Sequence, residues 1–255
     1  MAGVLDVVGV SKSFNIPSVR RDTVREHALD FFRPRATERL QVLEDVTFEL
    51  GRGESLGVMG RNGCGKSTLL KIASGIYTPD RGHVVVRGLI TPILELGLGW
   101  NPDLDAIDNI DLLGTVMGLS LRELRAARDE ILAFADLERF ANLELRHYSS
   151  GMGARLAYAV AFYAVQEVLI LDEIFAVGDA GFRERCQGRY RALHQAGHSM
   201  ILVSHNPSII AEFCQRALLL DGGRVIEVGP ANRVANSYSL LFRKDGNANT
   251  LPPNA

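Results

Sequence analysis

The chain has 255 residues, 47% hydrophobic and 23% charged, with a formal net charge of −2. Those proportions suit an ordinary globular protein, and a near-neutral chain offers no broad basic field, so no nucleic-acid partner is expected. Three widely spaced cysteines, Cys64, Cys186 and Cys214, with no C-x-x-C, argue against a disulfide framework or a zinc site and for a reducing cytoplasm.

Met1 to Val7 has no basic stretch leading into an apolar core, so no signal peptide is expected. Val4 to Val10 alternates loosely and reads as a first strand. Phe14 follows; a lone aromatic there is equally a core packer or a stacking platform for a purine ring. From about residue 15 to 39 runs an unusual basic segment, opened by Pro17 and closed by Pro34. Val24, Ala28, Phe31 and Phe32 recur at helical spacing within it, flanked by Arg20, Arg21, Arg25, Arg33, Arg35 and Arg39. An amphipathic basic helix suits a membrane surface, and equally a solvated helix packed on the domain. Val42 to Leu50 alternates as a strand, and Ser55 to Met59 is a short apolar run that fits a buried one.

That run delivers the stretch Gly60-Arg61-Asn62-Gly63-Cys64-Gly65-Lys66-Ser67-Thr68, which has the G-x-x-x-x-G-K-[ST] spacing of a phosphate-binding loop. The glycines allow successive N–H groups to point inward at phosphate oxygens. Lys66 supplies a point charge for the β- and γ-phosphates, and Ser67 offers a hydroxyl to Mg²⁺. A helix following the loop directs its positive end at the same place. Strand, glycine loop and helix form the context this motif requires.

Residues 78–82 read as a turn and His83 to Val86 as a short strand. From Leu89 to His147 the character changes. Pro92, Gly97, Gly99 and Pro102 mark loops. Ser120-Leu-Arg-Glu123 is a capping box, and Leu121, Leu124, Ala127, Ile131 and Ala135 continue as a helical stripe. An inserted helical subdomain over about residues 97–160, in an otherwise α/β chain, is the expectation. Leu156 to Val165 is too short an apolar run to cross a membrane.

Val168 to Leu171 is an apolar strand ending in Asp172-Glu173. Asp172 is placed to hold Mg²⁺ opposite Ser67, and Glu173 to polarise an attacking water as general base. Ser149, Ser150 and Gly151 open a helix. Alone they read as a plain helix cap; their place between the glycine loop and Asp172 makes them candidates for binding a phosphate. Ile201 to Ser204 is another apolar strand, ending in His205, a candidate sensor of the γ-phosphate.

Taken together, the glycine loop, Ser149 to Met152, Asp172-Glu173, Gly178-Asp179 and His205 resemble an ATP-binding cassette (ABC) subunit over nearly the whole chain, about residues 4–238. The resemblance implies an α/β P-loop NTPase fold of RecA-like core, antiparallel β-subdomain and inserted helical subdomain, together filling residues 1–240 ahead of a polar tail at 241–255. It implies ATP and Mg²⁺ as cofactors, with Phe14 as the adenine-stacking aromatic. Lys66, Glu173 and His205 are the expected catalytic residues. It further implies a head-to-tail homodimer, in which Ser149 of one copy and Asp179 face the nucleotide held by the other. Glu95 falls where the family usually has a metal-contacting glutamine, a departure that puts its metal role in doubt.

Residues 92–100, 148–152 and 172–179 are similar to the polysaccharide and teichoic-acid exporter ATPases. That resemblance implies a membrane permease dimer as partner, a lipid-linked glycan as substrate and a place on the cytoplasmic face of the plasma membrane. Behind so short a polar tail, the carbohydrate-binding domain some members carry is not expected. A soluble cassette ATPase or a nucleotide-switch scaffold is the alternative.

Overall fold

The computed structural model describes residues 3–17, 37–94, 99–173, 175 and 178–242. The expected basic helix and its arginines before residue 37, Glu95, and the tail beyond residue 242 lie outside them.

Two sheets share a core. The first is antiparallel, with β1 (Leu5–Pro17) between β2 (Thr37–Leu50) and β4 (Arg81–Val86). The second has six strands in the order β5-β6-β7-β3-β8-β9. These are β3 (Ser55–Gly60), β5 (Ile90–Ile93), β6 (Val168–Asp172), β7 (Ser199–Val203), β8 (Arg216–Asp221) and β9 (Arg224–Pro230). All its neighbours pair in parallel except β8 with β9. Parallel strands buried on both faces read as unbroken apolar runs, and β3 and β7 are buried at every position.

Side chains alternate between two cores. Leu56, Val58, Ile170, Ile201, Val203 and Leu218 face the antiparallel sheet and helix α1 (Lys66–Ala73). Met59, Leu169, Leu171, Met200, Leu202 and Leu219 face the opposite layer. That layer includes α5 (Ala180–Gln195), α6 (Pro207–Phe213) and α7 (Ala231–Phe242). A third core joins α2 (Ala106–Val116), α3 (Leu121–Ala135) and α4 (Ser150–Tyr163). Helix α4 bridges it to the sheet: Leu156, Ala159 and Val160 turn to the helices, while Tyr158, Ala161 and Phe162 turn to the sheet layer. The Ser120–Glu123 capping box at the head of α3 is present.

Several boundaries differ from the sequence expectation. Strand β1 runs on to Pro17 and β2 begins at Thr37, because Asn15 to Pro17 pair with Thr37 to Arg39; the ends of the basic segment are strand. Register shifts between Val7 and Ser13 break the alternation that marks a strand. Residues 90–93, where Pro92 was read as marking a loop, form a strand of the core sheet; β5 sits at the sheet edge, where Pro92 is tolerated. Arg81 and Gly82 are strand, not turn. On α3, Leu121 is 49% exposed and Leu132 takes a place in the core. Among the described residues no helix is long and apolar enough to cross a membrane.

Candidate active site

The carboxyl ends of β3, β6 and β7 converge, and a cleft of about 500 Å³ opens beside them. Crevices at such strand ends are where open α/β sheets bind ligands. Its lining includes Asn62, Gly63, Gly65, Lys66, Ser67, Thr68, Asp172 and Glu173.

The glycine loop leaves β3 and enters α1 through Gly65, at φ +107. A Cβ at Gly65 would lie 2.8 Å from the Val42 carbonyl oxygen, and one at Gly60 would lie 2.3 Å from that of Leu220. Both positions therefore exclude a side chain, as a backbone cradle requires. Lys66 is buried at the first turn of α1. Its Nζ donates to the carbonyls of Gly60 at 2.8 Å and Arg61 at 2.9 Å. Cys64 is buried beneath the loop, and that burial raises its thiol pKa. Its side chain packs in the core, so its place in the cradle is a backbone one.

Across the cleft, Ser67 Oγ donates to Asp172 Oδ2 at 3.2 Å. Burial raises the Asp172 carboxyl above its usual range and the Glu173 charge adds to this, while Ser67 and Lys66 oppose it. A buried carboxylate held this way has its charge poorly compensated, and a cation beside it would relieve that. No cluster of three or more His, Cys, Asp or Glu suited to a metal exists among the described residues. One carboxylate plus one hydroxyl fits Mg²⁺, which keeps waters and takes the rest of its shell from phosphate oxygens.

Glu173 is in the left-handed region at φ 52, uncommon for a residue with a long side chain. Its N–H donates to the Val203 carbonyl at 3.1 Å, tying the end of β6 to β7. Its Oε1 lies 2.9 Å from His205 Nδ1. A carboxylate accepts, so the two bond when His205 carries a proton on Nδ1.

Other candidates lie apart from the cleft lining. Ser149 caps α4, its Oγ accepting from the Met152 N–H at 3.2 Å, with Ser150 and Gly151 in the first turn. Asp179 caps α5, accepting from the Phe182 N–H at 2.8 Å. Phe14 is 36% exposed on β1, edge-on to Tyr77 at 5.8 Å, with Lys12 Nζ 5.5 Å from its ring centre. The sequence reading missed Val42 and Leu94 in the cleft wall. Apolar residues beside a polar motif carry no signal that separates them from core.

Fold and site together define a P-loop nucleoside triphosphatase. The ABC transporter family model matches residues 43–176. The ABC transporter protein AbcA of Aeromonas salmonicida is 39% identical over 244 residues, covering 95% of this chain and 78% of that protein. The O-antigen export system ATP-binding protein RfbB of Myxococcus xanthus is 37% identical over 235 residues. That match covers 90% of this chain and 54% of the relative, so the chain spans about half its length. A solved dimeric ATP-binding cassette, in a post-hydrolysis state bound to ADP and Pi, has a similar fold. Its TM-score is 0.71 at 22% identity, over 89% of this chain and 98% of that one. The chain belongs to the ABC transporter family and is an ATPase cassette of it.

Proposed function

We propose that this chain is the ATP-hydrolysing subunit of an exporter that moves a lipid-linked polysaccharide, of O-antigen, galactan, capsule or teichoic-acid type, across the cytoplasmic membrane. The observation that carries the ATPase site is the convergence of Ser67, Asp172, Glu173 and His205 at three neighbouring strand ends. The export role draws its support from the relatives, one of which is named for O-antigen export.

Each residue has a role that its position supports. Backbone N–H groups of Gly63, Cys64 and Gly65 bind phosphate oxygens, and Lys66 supplies positive charge to them. Ser67 and Asp172 would hold Mg²⁺, which offsets the charge on the phosphate oxygens of bound ATP. Glu173 takes a proton from the water that attacks the γ-phosphate. His205 fixes the Glu173 carboxylate through Nδ1 and responds to loss of the γ-phosphate. Phe14 stacks on the base.

Two copies pair head to tail, with Ser149, Ser150, Gly151 and Asp179 of one facing the nucleotide of the other. Ser149 lies at the exposed head of α4, so it is free to meet a second copy. Closure of that pair acts on a permease dimer at the cytoplasmic face. The test is hydrolysis by the purified chain with Mg²⁺, with and without its co-expressed permease. Mg²⁺-dependent turnover that the permease alters is expected. A chain that turns over ATP indifferently to any permease would overturn the export role.

A further inference from the structure

An apolar track leaves the cleft along β2. It begins at Val42, which lines the cleft beside the glycine loop: a Cβ at Gly65 would lie 2.8 Å from the Val42 carbonyl oxygen and 3.5 Å from its Cγ1. Lys12 pairs with Leu43 and Ser13 with Gln41, which leaves Val42 unmatched in the ladder between β1 and β2. An extra residue of this kind bends its strand and re-aims a side chain. Gln41 braces the irregularity. Its Nε2 donates to the Leu43 carbonyl at 2.6 Å and to the Lys12 carbonyl, on the facing strand, at 3.3 Å. Val42 thus reaches the cleft while Leu43 stays fully buried in the core.

Leu40 comes next on the track. It stands two residues before Val42, about 7 Å along the strand. In the register it is directly opposite Phe14. Opposed residues of an antiparallel pair project from the same face, with their side chains within reach of each other. The Phe14 ring is fixed by its neighbours. Tyr77 meets it edge-on at 5.8 Å, and Lys12 Nζ, 5.5 Å from the ring centre, donates to the Thr78 carbonyl at 2.8 Å and to Asp80 Oδ1 at 3.0 Å. Leu40 is 49% exposed beside that ring. A single exposed leucine on a surface needs no explanation. One that continues the wall of a ligand cleft toward a stacking ring has an occupant set by the cleft itself.

We infer that Leu40 is a further base-binding residue of the ATP site. The nucleoside lies along the wall formed by Val42 and Leu40, and the Leu40 side chain covers the edge of the base stacked on Phe14. The inference rests on Phe14 being the platform for the base. An apolar contact at this distance from the glycine loop adds hold on the nucleoside and leaves the phosphate contacts of Lys66 and Ser67 untouched.

The experiment measures equilibrium binding of ADP and of inorganic pyrophosphate, both with Mg²⁺, together with thermal melting. The full chain is compared as wild type, Leu40→Thr, Leu40→Tyr and Phe14→Ala. Pyrophosphate shares the phosphates and lacks the base. Leu40→Thr should weaken ADP about fivefold, the scale of covering half of an exposed leucine, with pyrophosphate changed by less than about twofold. Leu40→Tyr offers a larger apolar surface and should tighten ADP by at least about twofold, again without moving pyrophosphate. Unchanged ADP affinity in Leu40→Thr, or equal losses for ADP and pyrophosphate, would overturn the inference. If Leu40→Thr does not fold, Leu40→Tyr decides alone, and unchanged ADP affinity there counts against it. Phe14→Ala is the control. A loss of ADP affinity in Phe14→Ala with none in Leu40→Thr would refute the role of Leu40 only, whereas unchanged ADP affinity in Phe14→Ala would refute the platform itself.

Discussion

Glu173 and His205 meet across the ends of two neighbouring parallel strands, Oε1 to Nδ1 at 2.9 Å. The contact holds a left-handed glutamate in one orientation at the mouth of the cleft. Replacing His205 by Ala removes that hold and leaves the Lys66 cradle intact. Turnover should fall by at least about tenfold, while ATP affinity changes by less than about threefold. Steady-state kinetics alongside equilibrium nucleotide binding would check this, and a loss seen only in binding would contradict it.

Ser149 has two separable jobs. As the cap of α4 it satisfies the Met152 N–H, and Ser149→Ala should cost about 1 kcal/mol of stability. Aspartate caps a helix as well as serine does. Ser149→Asp should therefore melt near wild type while losing hydrolysis, because its negative charge would face the triphosphate of the paired subunit. Calorimetry and an ATPase assay on both variants separate the roles. Full activity in Ser149→Asp would remove Ser149 from the nucleotide seam.

Asp172 gives a pH-dependent stability. Burial raises its folded carboxyl above the ordinary aspartate value of 3.8. Through the window above 3.8 the folded chain binds more protons than the unfolded one, so stability falls as pH rises and levels off once Asp172 is ionised. Asp172→Asn escapes that loss. Without nucleotide, it should melt higher than wild type at neutral pH, with the difference fading toward pH 4. Added Mg²⁺ and ATP should raise the melting temperature of wild type and leave that of the variant nearly unmoved.

Asp80 has the opposite sign. Ser13 and Lys12 bond its carboxylate and lower its pKa to about 2. The stability it gives is complete above the unfolded value near 4 and is lost as pH falls through about 2. Asp80→Asn should lower the melting temperature across neutral pH. The gap to wild type should close only in strong acid; a gap that closes by pH 5 would contradict this assignment.

The sequence made the site more legible than the boundaries. The glycine loop, the acid pair and His205 were readable because phosphate chemistry demands particular residue types at fixed spacing, and the structure brings Lys66, Ser67, Asp172, Glu173 and His205 to adjoining strand ends. The capping box at Ser120 was readable for the same reason, since a cap is local. The extension of β1 to Pro17 was hidden by its bulges, and β5 by Pro92, because strand pairing overrides local preference. Leu40 opposite Phe14 depends on the pairing of two strands, so no local pattern announces it.

The most direct test of the central claim is the state of Glu173→Gln in Mg²⁺ and ATP, read by sedimentation with bound nucleotide counted. Loss of a general base lowers the rate by roughly 10²–10⁴-fold, so the variant should accumulate as a dimer holding two unhydrolysed ATP molecules. A variant that stays monomeric without retaining ATP, or that turns over at the wild-type rate, would contradict the account.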